Sequence, residues 1–376
     1  MKKHFIFFLL LSILISCSDN DTIFVEEEEG ELSLQKVALD SANIAVWIPR
    51  EDMKSRNGES MGYGALMNPV SDKLLIFLDG GGACFNGLTC NFNLNKFSET
   101  DFYNRIDNEQ SLLLDRENDT NQFKTWNFIF VPYATGDVHV GNNSSVNVSN
   151  GGPLNQAMVG ANNFNIILND LKAYFDNNAG LSEIVFAGSS AGAFGVMPNY
   201  FKLKEILGNN IPTTSIIDAG QIFMDETLLT PCLVQEWESI WNISSSLPAD
   251  LNAVIQNSYD FDIQKVYEYA SVKYPEDNFG FLSYYEDGTN TFFYGFGQDN
   301  CSYPPLGPVS GSEFKDGLLD LKTSVLDNHD NWKVFYKTGT SHTFLGDDDF
   351  SQSVNGTTLN DWISQLREGL ADDLVE

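Results

Sequence analysis

The stretch Ile184-Val185-Phe186-Ala187-Gly188-Ser189-Ser190-Ala191-Gly192 is four apolar residues followed by five small ones, with a helical period running on from Ala191 to Leu207. A short apolar run reads as a buried strand, and the small residues read as a sharp corner between strand and helix. Gly-x-Ser-x-Gly at such a corner is a nucleophile elbow. Side chains at Gly188 and Gly192 would collide across the turn, and the strain lifts the Ser190 hydroxyl clear of the sheet. An ordinary tight turn built of small residues is the other reading of the same five positions.

Working outward, Asn43–Ile48, Lys73–Leu78, Asn127–Pro132, Leu181–Ala187, Thr213–Asp218 and Asn331–Tyr336 read as strands, several of them continuously apolar, as strands covered on both faces are. Asn155–Phe175, Ala191–Leu207, Lys315–Leu326 and Thr358–Leu370 carry helical periods. Strands alternating with helices predict an α/β fold around a mostly parallel sheet, with helices on both faces. Pro231–Asn300 breaks the rhythm with Trp-rich and Tyr-rich pieces, and reads as a helical insertion. No internal repeat or linker divides the chain, so residues 32–376 read as a single catalytic domain.

Of 376 residues, 42% are hydrophobic and 13% aromatic, which supports a full core and excludes wholesale disorder. The formal charge of −31 argues against nucleic-acid partners, because binding phosphate backbones depends on cations that displace counterions. The N-terminus has Lys2 and Lys3, an apolar run from Phe5 to Ile15, then Ser16 and Cys17. That is the pattern of an export signal, too short to span a bilayer. Leu14-Ile15-Ser16-Cys17 resembles a bacterial lipobox, which makes residues 1–16 a lipoprotein signal peptide and Cys17 the lipidated residue. An ordinary secretory signal is the competing reading. Residues 17–31, with Glu26-Glu27-Glu28-Glu29, read as an acidic tether. The expectation is an exported protein held to the cell envelope, with the lipid bilayer as a partner.

Export into an oxidising compartment gives the remaining cysteines a use. Cys84, Cys90, Cys232 and Cys301 allow three pairings. Cys84–Cys90 with Cys232–Cys301 is favoured, since the first two are already near one another in sequence. A zinc site is the weaker reading because no His lies at ligand spacing. Asp347-Asp348-Asp349 reads as a solvated turn rather than a calcium site. No metal is assigned.

A serine nucleophile needs a base, normally an imidazole oriented by a carboxylate. There are four candidates, His4, His139, His329 and His342. His4 leaves with the signal, and His329 sits in a polar turn. His139, with Asp137, lies in a loop that the pair would stiffen. His342 follows the last strand and precedes the C-terminal helix, where the order Ser…Asp…His places the base. Asp79-Gly80-Gly81-Gly82-Ala83-Cys84 follows the strand Leu74–Leu78 and resembles the loop that supplies oxyanion donors in esterases, with Ala191 supplying another. A phosphate-cradling loop would need a Gly-Lys-Ser/Thr that is missing here.

Four separated motifs together resemble the pectin acetylesterase and Notum family of serine carboxylesterases: Leu78–Cys84 with Cys90, Pro132–Gly141, Ala187–Gly192 and Gly339–Leu345. The resemblance implies an α/β-hydrolase-like fold with Ser190 as nucleophile, His342 as base, and Gly81, Gly82 and Ala191 at the oxyanion positions. It points to Asp287 as the acid, through Gly280–Asp287 followed by Phe292–Gly295. Asp218, at the end of Ser215–Gly220, resembles a second recurrent segment and is the alternative, with Asp299 behind it. This chain departs from the family at Gly82-Ala83, where an aromatic residue is common, and at Ala193, where Gly is frequent.

The expected activity is hydrolysis of an acyl ester, acetyl first, on a carbohydrate or similar hydroxyl-bearing substrate, without a cofactor. Two alternatives remain: a Notum-like or lipase-like deacylase of longer acyl esters, and an inactive carbohydrate-binding surface lipoprotein. Pectin, a polyanion, sits awkwardly with a chain this acidic.

Overall fold

Nine strands form the central sheet: β1 (Ala45–Lys54), β2 (Ser60–Leu66), β3 (Lys73–Leu78), β4 (Asn127–Val131), β5 (Glu183–Ser189), β6 (Thr213–Asp218), β7 (Asn278–Tyr284), β8 (Trp332–Lys337) and β9 (Leu374–Val375). Their spatial order is β1-β2-β4-β3-β5-β6-β7-β8-β9. β2 pairs antiparallel with both of its neighbours, and every other pairing is parallel. The computed structural model describes residues 32–108, 113, 116–178, 180–255, 262–345 and 352–376. Cys17, the signal and tether segments and the Asp347-Asp348-Asp349 run lie outside the described residues.

Consecutive positions of β4 and β6 are all buried, as are those of β3 and β5 after their first residue, so the middle of the sheet is covered on both faces. The covering helices start where the sequence supplies caps. Gly311–Ser324 begins with a capping box between Ser310 and Glu313, and Leu359–Arg367 begins with Thr358 accepting from the Asp361 amide. Gly160–Asp176 starts five residues later than its apolar period suggests, because Gln156–Met158 pairs with Asn143–Val146 in a two-stranded ribbon.

Pro231–Asn300 is not wholly the helical insertion that its composition suggests. Pro231–Trp241, Ala249–Ile255 and Val266–Lys273 are helices, but Asn278–Tyr284 is β7, inside the sheet between β6 and β8. Its run of aromatics interrupted by Gly280 carries no alternation to mark a strand. This correction matters for function, because β7 delivers an acidic residue to the same edge as the elbow. Both disulfides have the favoured pairing, Cys84–Cys90 and Cys232–Cys301. Cys84–Cys90 closes the loop after β3.

Candidate active site

The functional side chains all come from the C-terminal ends of parallel strands, the edge where open α/β sheets hold their ligands. Ser190 directly follows β5, at φ 54° and ψ −123°, a conformation that a non-glycine residue adopts only under constraint from its surroundings. The constraint is visible. A Cβ on Gly192 would lie 2.0 Å from the Leu78 carbonyl oxygen, and one on Gly188 would lie 2.5 Å from the Gly192 backbone. Only glycines let the helix Ala191–Leu207 start this close to β3.

His342 Nε2 lies 2.7 Å from Ser190 Oγ, and His342 Nδ1 lies 2.7 Å from Asp287 Oδ2. Since the carboxylate accepts, Nδ1 carries the proton and Nε2 presents a lone pair to the serine hydroxyl. Asp287 is fully buried. It caps the helix Gly288–Tyr294, its Oδ1 accepting from the Thr289 and Asn290 amides at 2.9 Å each, and Asn290 Nδ2 donates to Oδ2 at 3.2 Å. The acid loop and the histidine loop are joined along their backbones. Tyr285, Glu286 and Gly288 donate to the carbonyls of Lys337, Gly339 and Thr340 at 2.9, 3.0 and 3.1 Å.

The two other carboxylates considered for the acid stand elsewhere. Asp299 is exposed and accepts from Ser302 Oγ. Asp218 is fully buried but does not reach the imidazole nitrogens. Its carboxylate accepts from the Phe344 and Leu345 amides and from Ser189 Oγ, at 2.8 to 3.0 Å. Burial pushes the Asp218 carboxyl up to about 6, against the lowering effect of those hydrogen bonds.

Gly81 and Gly82, at φ 147° and 75°, turn the chain after β3. Among the described residues their amides, and that of Ala191, donate to no protein acceptor; Gly81 and Gly82 line one cleft together with Ser190, and Gly82 and Ala191 line one smaller chamber. The loop is braced from below. His139 Nε2 donates to the Asp79 carbonyl at 2.8 Å, and its ring lies 4.7 Å from that of Tyr133. Asp137 holds the loop of His139 by accepting from the His139 and Gly160 amides and from Thr135 Oγ1. Burial pushes the His139 imidazole down to about 4, so it stays neutral and acts as a brace, as its position in sequence suggests. Buried Arg56 donates to the Cys90 and Asn93 carbonyls, and Asn93 Nδ2 donates to the Gly81 carbonyl. His329 sits half-buried in the turn before β8.

Two spaces meet at Ser190. A cleft of about 840 Å³ is lined by Gly80–Gly82, Ser190, His342, Arg105 and several phenylalanines, among them Phe92, Phe292 and Phe293. A second, smaller chamber of about 40 Å³, which shares Gly82, Ser190 and Phe293 with the cleft, is also lined by Ala191, Phe194, Trp237 and Trp241. Sequence reasoning missed both tryptophans, Asn290, Arg56 and the place of Asp218. Asp287-Gly-Thr-Asn290 at a helix start is a capping pattern that would have marked Asn290. Nothing local marks the others. Among the described residues, no group of three or more His, Cys, Asp or Glu side chains is arranged to hold a metal ion.

Comparison with known proteins bears on the family and the fold. Residues 62–270 match the family model Pectinacetylesterase. Palmitoleoyl-protein carboxylesterase notum2 of Xenopus laevis is 25% identical over 171 residues, 44% of this chain and 34% of that protein. Palmitoleoyl-protein carboxylesterase NOTUM of Schmidtea mediterranea is 30% identical over 143 residues, 36% of this chain and 25% of that protein. The chain thus spans about a third and a quarter of the length of these two relatives. Two crystal forms of the Wnt deacylase Notum from Drosophila superimpose with TM-scores of 0.60 and 0.59 at 19% identity, covering 87% of this chain and 94% and 93% of theirs. An α/β-hydrolase-like sheet, two disulfides and a family match over more than half the sequence lead to one statement: this chain belongs to the pectinacetylesterase family of carboxylesterases.

Proposed function

We propose that the protein is an exported, lipid-anchored serine carboxylesterase that removes acetyl or similarly short acyl groups from a carbohydrate or other hydroxyl-bearing substrate. The observation that carries the reading is the chain of two 2.7 Å hydrogen bonds from Ser190 through His342 to Asp287, opening on a cleft. Ser190 Oγ attacks the ester carbonyl carbon while His342 Nε2 takes its proton, and the Gly81, Gly82 and Ala191 amides hold the oxyanion. Collapse expels the alcohol, which receives the proton from Nε2. Water, deprotonated by the same nitrogen, then attacks the acyl carbon; the bond to Ser190 Oγ breaks, Nε2 returns the proton to that oxygen, and the carboxylic acid leaves.

Proton delivery decides which space takes which half of the substrate. The leaving oxygen must meet His342, and His342 lines the large cleft and not the small chamber. The alcohol half therefore occupies the cleft, and the acyl group points past the oxyanion donors into the chamber. Its volume of about 40 Å³ is about three times the ~10–15 Å³ that a single water needs, room for an acetyl or similarly short acyl group and far less than the cleft of about 840 Å³ offers. One observation favours a longer acyl group: Phe77, Phe92, Phe128, Phe130, Phe292 and Phe293 give the cleft an apolar wall.

A series of p-nitrophenyl esters separates the two. Hydrolysis that falls about 100-fold or more in kcat/KM from acetate to octanoate supports the chamber as acyl site, and faster octanoate hydrolysis moves the acyl chain to the cleft. Ser190→Ala should lower kcat on the order of 10⁶-fold, and release acetate from acetylated xylan or pectin no faster than buffer. Wild type and variant indistinguishable on every ester would leave a binding protein. Anchoring rests on the Leu14–Cys17 pattern, and labelled fatty acid should enter the wild-type chain but not Cys17→Ala.

A further inference from the structure

Asp218 is a fully buried carboxylate that the reaction above does not use. Its contacts reach two of the parts that must meet for hydrolysis. On the nucleophile side, its main-chain carbonyl accepts from the Ser190 amide at 2.8 Å, and its Oδ2 accepts from Ser189 Oγ at 2.8 Å. On the base side, the carboxylate accepts from the Phe344 amide with both oxygens, at 3.0 and 2.8 Å, and from the Leu345 amide at 2.8 Å. Phe344 and Leu345 stand two and three residues after His342. Between them, Thr343 is at φ 65°, so the chain reverses sharply just past the imidazole. Phe344 is also stacked flat on Tyr284, the last residue of β7, with ring centroids 4.3 Å apart.

We infer that Asp218 is a positioning residue that ties the serine elbow to the histidine loop and so sets the separation of Ser190 from His342. The three backbone bonds that join the histidine loop to the acid loop fix His342 relative to Asp287, but none of them reaches the elbow. Asp218 supplies that missing tie. Hydrogen bonds from amides to an ionised carboxylate are about twice as strong as neutral ones, which suits a joint that must hold a base against its nucleophile. The inference rests on the proposed roles of Ser190 and His342, but half of its test does not depend on them.

In wild-type protein, hydrogen exchange should find the Phe344 and Leu345 amides protected like those of the neighbouring strands. In Asp218→Asn, whose amide group turns an N–H toward the same donors, protection should vanish at these two residues and persist in β6 and β8. Unprotected amides in the wild type would overturn the tie without any variant needing to fold. In the kinetic half, Asp218→Asn should lose about 10- to 100-fold in kcat on p-nitrophenyl acetate with KM within about twofold, the signature of a displaced base rather than a damaged cleft. Added imidazole should restore several-fold of that loss, as in His342→Ala, and should do nothing for Ser190→Ala. An Asp218→Asn variant with unchanged kcat, or one that loses activity without imidazole rescue, refutes the positioning role. A wild type inactive on all esters refutes the esterase reading instead, and leaves the exchange result to judge the tie.

Discussion

At the scale of single residues, the site combines groups that do chemistry with groups whose value is that they stay neutral. His139 is of the second kind. Its folded imidazole is held down at about 4 by burial, against about 6.5 when exposed, so the unfolded chain takes up a proton in acid that the folded one refuses. Stability from this source is complete above pH ~6.5 and is lost as the pH falls to about 4. The unfolding free energy of wild type relative to His139→Gln should therefore drop by about 3 kcal/mol between pH 7 and pH 4 in urea titrations. A flat difference would place His139 in contact with water. Ser190 and His342 were legible because chemistry of this kind leaves marks: glycines at either side of a strained corner, and a scarce residue type in the right place. Asp287 was not legible in that way, since 52 carboxylates offer no local sign of which one the fold will bury beside an imidazole. It came from resemblance to a segment. The duty of Asp218 depends on a contact with Phe344, 126 residues downstream, and no reading of either neighbourhood shows it.

Elements carry the proposed site because each strand end leads to one part of it: β3 to the glycine loop, β5 to Ser190, β6 to Asp218, β7 to Asp287 and β8 to His342. The tolerance is small where β3 and the helix Ala191–Leu207 touch. Gly192→Ala puts a methyl group 2.0 Å from a main-chain oxygen that cannot swing aside. The variant should lose about 3 kcal/mol of stability in denaturant melts and most of its esterase activity, because the backbone shift that relieves the clash also moves Ser190. Full activity in the variant would mean that the elbow is looser than its geometry. Buried parallel strands such as β3 and β5 were plain in the sequence as unbroken apolar runs. β2 was missed because Ser60-Met-Gly-Tyr-Gly-Ala-Leu66 alternates glycine with larger residues instead of polar with apolar, and β7 because aromatics and Gly280 hid it inside a helical neighbourhood. β9, at two residues, is too short for any pattern.

For the molecule as a whole, the formal charge of −31 bears on which acylated polymers it can approach. Raising ionic strength from 0.01 to 0.15 M shortens the screening length from about 30 to about 8 Å. On acetylated pectin, kcat/KM should rise several-fold over that range, while on neutral acetylated xylan it should stay level. Equal responses would show that the cleft is shielded from the overall charge. The distance along the chain between Ser190 and His342 has a further consequence. His342 lies 152 residues beyond Ser190, with β6, β7 and β8 between them in the chain. Contacts so remote in sequence close late, after local helices have formed. Renaturation from urea with the disulfides intact should then recover far-UV ellipticity first and ester turnover only at the end, so the molecule has no half-assembled form that is already an active hydrolase.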